Sequence, residues 1–318
     1  MMYGLKTDWQ EENPPRYFTL RDYEGAVPRW CAGCGDHAIL SAVQRLCRDE
    51  QLPPEKTVVV SGIGCASRFP HYVGSYGFHG LHGRALPVAC GIRARRPDLH
   101  LFVATGDGDC CAIGTGHWVY AVHYNMNMVV MMFDNNVYAL TKNQTSPTSP
   151  KGRKTNTHPR GAWLQPIDPI QTSLGIQNAS FVAQTIDWNP AHLLSTLKAA
   201  HHHPGLAFVR VIQRCSHYPS DFVQQLQADP SLLLVLTHPD GVNLDDATGR
   251  TFRNQERHDP TNIAEARALA DRRDVLPIGL FYRNENADRY DRITIDGIAT
   301  SRKDKLAAIQ RGLSGYAI

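Results

Sequence analysis

Three short stretches of this chain carry residues whose types and spacing suit chemistry. Cys31 and Cys34, in "WCAGCGDHAIL" (30–40), sit three apart in a glycine-containing turn. That spacing suits a zinc knuckle, a redox disulfide or part of a larger ligand set. "GDGD" at 106–109 sets two carboxylates among two glycines, and "FDNNVY" at 133–138 offers amide and backbone oxygens. Glycines let a backbone approach a diphosphate, and a helix start just beyond them supplies free N–H groups. The dinucleotide fingerprint G-x-G-x-x-G fails, because Cys111 stands where the third glycine belongs, and "GIGCAS" (62–67) fails likewise at Ser67. An aspartate would repel a bare pyrophosphate. A divalent cation between them removes the conflict, and magnesium takes hard oxygen ligands together with substrate phosphates. Asp107 would give one oxygen, and the end of the next strand the others.

The elements that must position these residues are legible. "LHLFVATGDGD" reads as a buried strand ending in glycines, "CAIGTGHWVYAVHYN" as a helix and "MNMVVMMFDNN" as a second buried strand. Such a βαβ unit implies a parallel sheet, whose carboxyl edge is where α/β proteins bind ligands. A helix from Ala38 to about Glu50 precedes another strand, "KTVVVSGIG". "GRALPVACGIRARRPDL" reads as a helix start and a surface turn. "ASFVAQTID", "AHLLSTLKAAHHH" and "LAFVRVIQRC" continue the alternation, with the histidines at 201–203 as a helix end. Residues 142–175 read as a long loop of the kind that serves function or partner contact. Beyond Tyr218 the chain turns polar, with a last apolar stretch at "VLPIGLFY". The expected fold class is α/β, a mostly parallel sheet with helices on both faces. It comprises an irregular arm (1–29), a core domain (30–220) and a C-terminal extension (221–318) that contacts another subunit.

Bulk composition narrows the function classes. At 42% hydrophobic, 20% charged and net charge +3, the 318 residues lack the concentrated basic face of a nucleic-acid binder. No apolar run approaches the roughly 18 residues of a membrane span. "MMYGLKTDWQEENPPRYF" lacks the apolar core of a signal peptide. A cytoplasmic location follows as the expectation, with thiols reduced, so the eight cysteines read as ligands or buried residues.

G-D-G followed about thirty residues later by N-N resembles the thiamine diphosphate fingerprint. The chain as a whole resembles the β subunits of 2-oxoacid:ferredoxin oxidoreductases. The resemblance implies Mg²⁺ on Asp107, Asn135 and the carbonyl of Val137. It implies thiamine diphosphate contacts from Ile63, Gly64, Cys65, Ala66, His82, Gly83, Gly106, Asp107, Gly108, Asp109, Asn135, Val137, Ala139 and Leu140. It also supplies partners for the opening cysteines. Cys65 in "SGIGCASR" and Cys215 in "QRCSHYP" would join Cys31 and Cys34 around one [4Fe–4S] cluster, one thiolate per iron. Cys47, Cys90, Cys110 and Cys111 then read as small buried hydrophobes.

The implied reaction is a reversible, coenzyme A-dependent oxidative decarboxylation of a 2-oxoacid, with electrons leaving through the cluster to ferredoxin. His82 and Arg84 in "GLHGRA" match the family's H-G-R motif, and His37 is a further catalytic candidate. "YALTKNQTSPT" (138–148) is similar to a segment of 2-oxoglutarate-type members, which makes Lys142, Leu140 and Arg68 substrate-binding candidates. Ala32, Ala139 and Asn143 depart from the usual pattern; the last two put the substrate preference in doubt. The glutamate that activates thiamine and the coenzyme A domain would come from an α subunit, in a heterodimer or a dimer of heterodimers. Rival readings are a non-oxidative thiamine-dependent decarboxylase or synthase subunit with structural zinc, a pyruvate- or oxaloacetate-specific member of the same family, and a zinc-stabilised scaffold.

Overall fold

The computed structural model describes residues 16–239, 241, 242, 249, 252–295 and 302–316. The first fifteen residues of the expected N-terminal arm, and parts of the expected extension, lie outside the described residues. Nine strands form the central sheet: β1 (Thr57–Ser61), β2 (Tyr76–His79), β3 (His100–Gly106), β4 (Met128–Asp134), β7 (Phe181–Ile186), β8 (Leu206–Ile212), β9 (Leu233–Thr237), β10 (Gln255–Arg257) and β11 (Leu276–Arg283). Across the sheet they lie in the order β10-β9-β11-β7-β8-β4-β3-β1-β2. A two-stranded hairpin, β5 (Val137–Tyr138) with β6 (Gln144–Thr145), stands apart. All neighbours in the large sheet run parallel except β11 against β7.

The inner strands are buried along their whole length, as continuous apolar runs require when helices cover both faces. One face packs α1 (Asp36–Asp49) and α5 (Pro190–His202), with Ile39, Leu46, Leu193 and Leu197 against Val59, Phe102 and Val209. The other packs α2 (Ala85–Arg95), α3 (Thr115–Tyr124) and α4 (Pro169–Gly175), with Trp118 and Leu174 against Val103, Val130 and Phe208. Among the described residues no helix is long and apolar enough to cross a membrane.

Two regions are more ordered than the sequence suggests. The loop at 142–175 opens in the β5–β6 hairpin and closes in α4. That helix starts because the Asp168 side chain accepts from the amides of Ile170 and Gln171 at 2.9 and 3.1 Å, with Pro169 at the first turn. Beyond residue 220, β9, β10 and β11 extend the same sheet rather than standing off it, since the side chains of Leu233, Val235 and Ile278 join one apolar cluster with Ile186 and Ile212.

The topology already marks a site. Strands run 2-1-3-4 across the right half of the sheet, so the connections leaving β1 and β3 diverge to opposite sides. Ligands in open α/β sheets bind at such a switch point, outside the carboxyl ends of the strands.

Candidate active site

The turns after β1 and β3 meet at this crevice, and Asp109 is the residue that joins them. Its Oδ1 accepts from the amides of Ile63 (3.2 Å) and Gly83 (2.6 Å) and from His82 Nδ1 (2.5 Å), while Oδ2 accepts from Thr105 Oγ1 (2.7 Å). The Asp109 side chain is 1% exposed and that of His82 39%. A carboxylate can only accept, so His82 carries its proton on Nδ1 and turns Nε2 to the open side. Gly62 makes this possible: a Cβ there would lie 2.1 Å from Asp109 Oδ2. A turn of π-helix over Asp109–Ile113 follows, a distortion frequent at functional sites.

Asp107 faces the other way, into a buried polar chain. Thr148 Oγ1 lies 2.7 Å from Asp107 Oδ2 and 2.8 Å from Asp134 Oδ1. Arg210 then clamps Asp134 Oδ2 through Nε and Nη2 at 2.7 and 2.6 Å, and gives Nη1 to Gln184. One hydroxyl proton cannot serve two carboxylates at once, and burial, followed by the charge of Asp134, pushes Asp107 up to about 7. Without a cation, burial and Asp134 favour the protonated form of Asp107, and a bound divalent cation would favour the carboxylate. Asn135 turns its amide oxygen toward the Val137 amide (3.2 Å) and gives Nδ2 to Gln213 (2.8 Å). Over the turn lies Tyr138, whose hydroxyl donates to the Gly108 carbonyl at 3.0 Å. Its ring packs so close that a Cβ on Gly108 would fall 2.2 Å away. Asp107, Asn135 and the Val137 carbonyl are hard oxygen donors of the kind magnesium takes, and they stand beside glycines with no side chain.

Three chain segments bring the four cysteines together. Trp30 Nε1 donates to the Cys65 carbonyl (2.8 Å), the Gly35 amide to the Arg214 carbonyl (3.0 Å), and Gln213 Nε2 to Cys34 Sγ (3.2 Å). All four are free thiols; Cys31 is exposed and the others are partly buried. Burial and then Asp36 push Cys65 up to about 12, with Cys215 and Cys31 adding to the shift; burial and Asp36 also raise Cys34, to which Cys215 and Cys65 contribute. In the absence of a metal these thiols are thus held in their protonated form, and a metal bound among them would have to displace those protons. Among the described residues no three His, Cys, Asp or Glu side chains are grouped as for a single metal ion.

Residues 62–211 match the family model described as thiamine pyrophosphate enzyme, C-terminal TPP binding domain. Residues 248–295 match the model for the C-terminal part of the pyruvate ferredoxin oxidoreductase beta subunit. The 2-oxoacid:ferredoxin oxidoreductase subunit beta of Saccharolobus solfataricus is 35% identical over 300 residues, covering 91% of this chain and 87% of that one. The chain belongs to the 2-oxoacid:ferredoxin oxidoreductase beta-subunit family. The 2-oxoglutarate oxidoreductase subunit KorB of Mycobacterium tuberculosis is 43% identical over 187 residues, which span 59% of this chain and 50% of that one. A solved 2-oxoglutarate:ferredoxin oxidoreductase from Magnetococcus marinus, with 2-oxoglutarate, coenzyme A and succinyl-CoA bound, superimposes with a TM-score of 0.77. It is 33% identical and covers 92% of this chain and 96% of its own.

In this beta subunit, Ile63, Gly83, His82, Asp109 and Tyr138 converge at the β1/β3 crevice, with Gly64 in the β1 turn at φ +132° and Arg84 at the start of α2. Ala139, Leu140 and Lys142 belong to the hairpin, where Leu140 and Lys142 are exposed and Lys142 and Asn143 both adopt positive φ. His37 and Arg68 pack elsewhere. His37 lies edge-on to Trp30 at 5.4 Å, and Arg68 covers the Tyr72 ring and reaches the Arg29 carbonyl beside Cys65. Cys47, Cys110 and Cys111 are buried and Cys90 is half-buried. Sequence reasoning missed Thr148, Tyr138, Gln213 and the Asp134–Arg210 pair. Only the last left a signal: an arginine inside the apolar run "LAFVRVI" needs a buried partner.

Proposed function

We propose that this chain is the catalytic beta subunit of a coenzyme A-dependent 2-oxoglutarate:ferredoxin oxidoreductase, working in the cytoplasm with an α subunit. Thiamine diphosphate would be held through Mg²⁺ on Asp107, Asn135 and the Val137 carbonyl, and one [4Fe–4S] cluster on Cys31, Cys34, Cys65 and Cys215. One observation carries this reading: the turn after β1 serves both centres. The Ile63 amide binds Asp109 of the GDGD turn, and two residues on, the Cys65 carbonyl takes the Trp30 indole beside Cys31.

Bound thiamine diphosphate would supply the electron sink for decarboxylation, and the cluster a one-electron exit. The chain's own residues divide the remaining work. Gly106 and Gly108 let the backbone approach the diphosphate, and Thr148 holds Asp107 ready for the cation. His82, fixed by Asp109, presents Nε2 to donate to or accept from a reacting oxygen. Lys142, exposed at the hairpin, is suited to the distal carboxylate of a dicarboxylic substrate. The choice of 2-oxoglutarate rests on that lysine and on the relatives named for this substrate. Residues 221–318 would contribute contacts to the α subunit.

The test is the purified complex with its α subunit, assayed anaerobically with coenzyme A and ferredoxin against 2-oxoglutarate, pyruvate and oxaloacetate. Preference for 2-oxoglutarate with about four irons per beta subunit is the expected result. A colourless protein holding zinc, or turnover independent of ferredoxin, would sink the proposal.

A further inference from the structure

Gln213 lies at the end of β8, is 1% exposed, and touches a residue of each proposed centre. Its Oε1 accepts from Asn135 Nδ2 at 2.8 Å, and its Nε2 donates to Cys34 Sγ at 3.2 Å and to the Arg214 carbonyl at 2.5 Å. The orientation of this amide is determined by its neighbours. A carbonyl oxygen can only accept, so the nitrogen must face Arg214 and Cys34, and the oxygen must face Asn135. That in turn commits the Asn135 nitrogen to Gln213 and leaves the Asn135 oxygen for the cation side. A reversed Asn135 would set oxygen against oxygen.

We propose that Gln213 is a positioning residue shared by the two centres: it fixes the amide of Asn135 for the magnesium diphosphate and tunes the cluster through its N–H···S bond to Cys34. The inference rests on the ligand assignments above. A donor to a cluster thiolate stabilises the reduced, more negative cluster, so its removal lowers the reduction potential. Loss of the acceptor frees Asn135 to turn and weakens retention of Mg²⁺ and thiamine diphosphate. The two roles sit on opposite ends of one amide, so different substitutions separate them.

Gln213→Glu keeps an oxygen for Asn135 but removes the donor to Cys34. Gln213→Leu removes both. The intact complex would be examined by an EPR-monitored redox titration of the cluster and by titration with thiamine diphosphate in the presence of Mg²⁺. The expected pattern is a lower cluster potential in both variants. Retention of thiamine diphosphate should stay within about twofold of the parent in Gln213→Glu and fall at least tenfold in Gln213→Leu. A potential unmoved in Gln213→Glu at full iron content overturns the tuning role. Equal retention in both variants overturns the positioning role. A parent complex without iron points instead to failure of the cluster assignment, and the retention arm still reads the Asn135 contact.

Discussion

Replacing Thr148 with valine removes one hydroxyl and almost nothing else, at the point where two buried carboxylates meet. The bond lengths of 2.7 and 2.8 Å are those of well-formed O–H···O hydrogen bonds. Asp134 keeps both arginine nitrogens and the amides of Asn136, so its loss is about 1 kcal/mol. Asp107 has fewer donors to fall back on, and an undersatisfied buried carboxyl costs about 1–3 kcal/mol. Together these destabilise the cation-free protein by about 2–4 kcal/mol, a fall in Tm of roughly 3–6 °C for a chain of 318 residues. Thermal unfolding of the complex, stripped with a chelator and compared with the parent at one pH, is the measurement. Added Mg²⁺ and thiamine diphosphate should recover part of the loss, because the cation then satisfies Asp107. A cation-free Thr148→Val complex melting within about 1 °C of the parent would refute the claim that this hydroxyl bridges two ionisable groups.

Asp107→Asn should abolish retention of thiamine diphosphate. It should also flatten the pH dependence of the cation-free protein. Folded Asp107 is pushed up to about 7, whereas the unfolded carboxyl titrates near about 3.9. The folded state thus holds an extra proton between these values, and parent stability falls as pH rises from about 4 to about 7. Melting curves from pH 5 to 8 should slope downward for the parent and stay level for the variant at this site. Cys215→Ser should lower iron per chain and the brown absorbance, as measured by iron analysis on anaerobically prepared complex; unchanged iron would remove Cys215 from the ligand set. Lys142→Met should raise the KM for 2-oxoglutarate at least tenfold while changing that for pyruvate far less, in steady-state assays. Gly62→Ala drives a methyl into Asp109 and so should cut kcat more than it changes either KM.

The sequence carried the parts of this protein that local pattern can encode. "GDGD", the asparagine 28 residues on and the strand–turn–helix alternation are local signals, and each element lies close to where its periodicity puts it. The α4 helix was legible too, in Asp168–Pro169, but was masked by the polar residues before it. What the sequence could not carry is pairing across parallel strands. Arg210 meets Asp134 because β8 lies beside β4 with Met132 opposite Arg210, a register set by the whole sheet. Thr148 reaches Asp107 across 41 residues only because the hairpin folds back over the crevice. Gln213 looks like an ordinary strand-end amide until Cys34, 179 residues away, arrives beside it.

The four residues from Gly62 to Cys65 also limit how far this protein can be taken apart. Gly62 makes room for Asp109, Ile63 binds it, Gly64 turns the chain at φ +132°, and Cys65 is tethered to Trp30. The two proposed centres are therefore not interchangeable modules. An insertion of even one residue here would displace the support of His82 and the proposed sulfur ligand together. A cysteine set transplanted into another α/β scaffold would have to bring this turn, and the switch point beneath it, along with it.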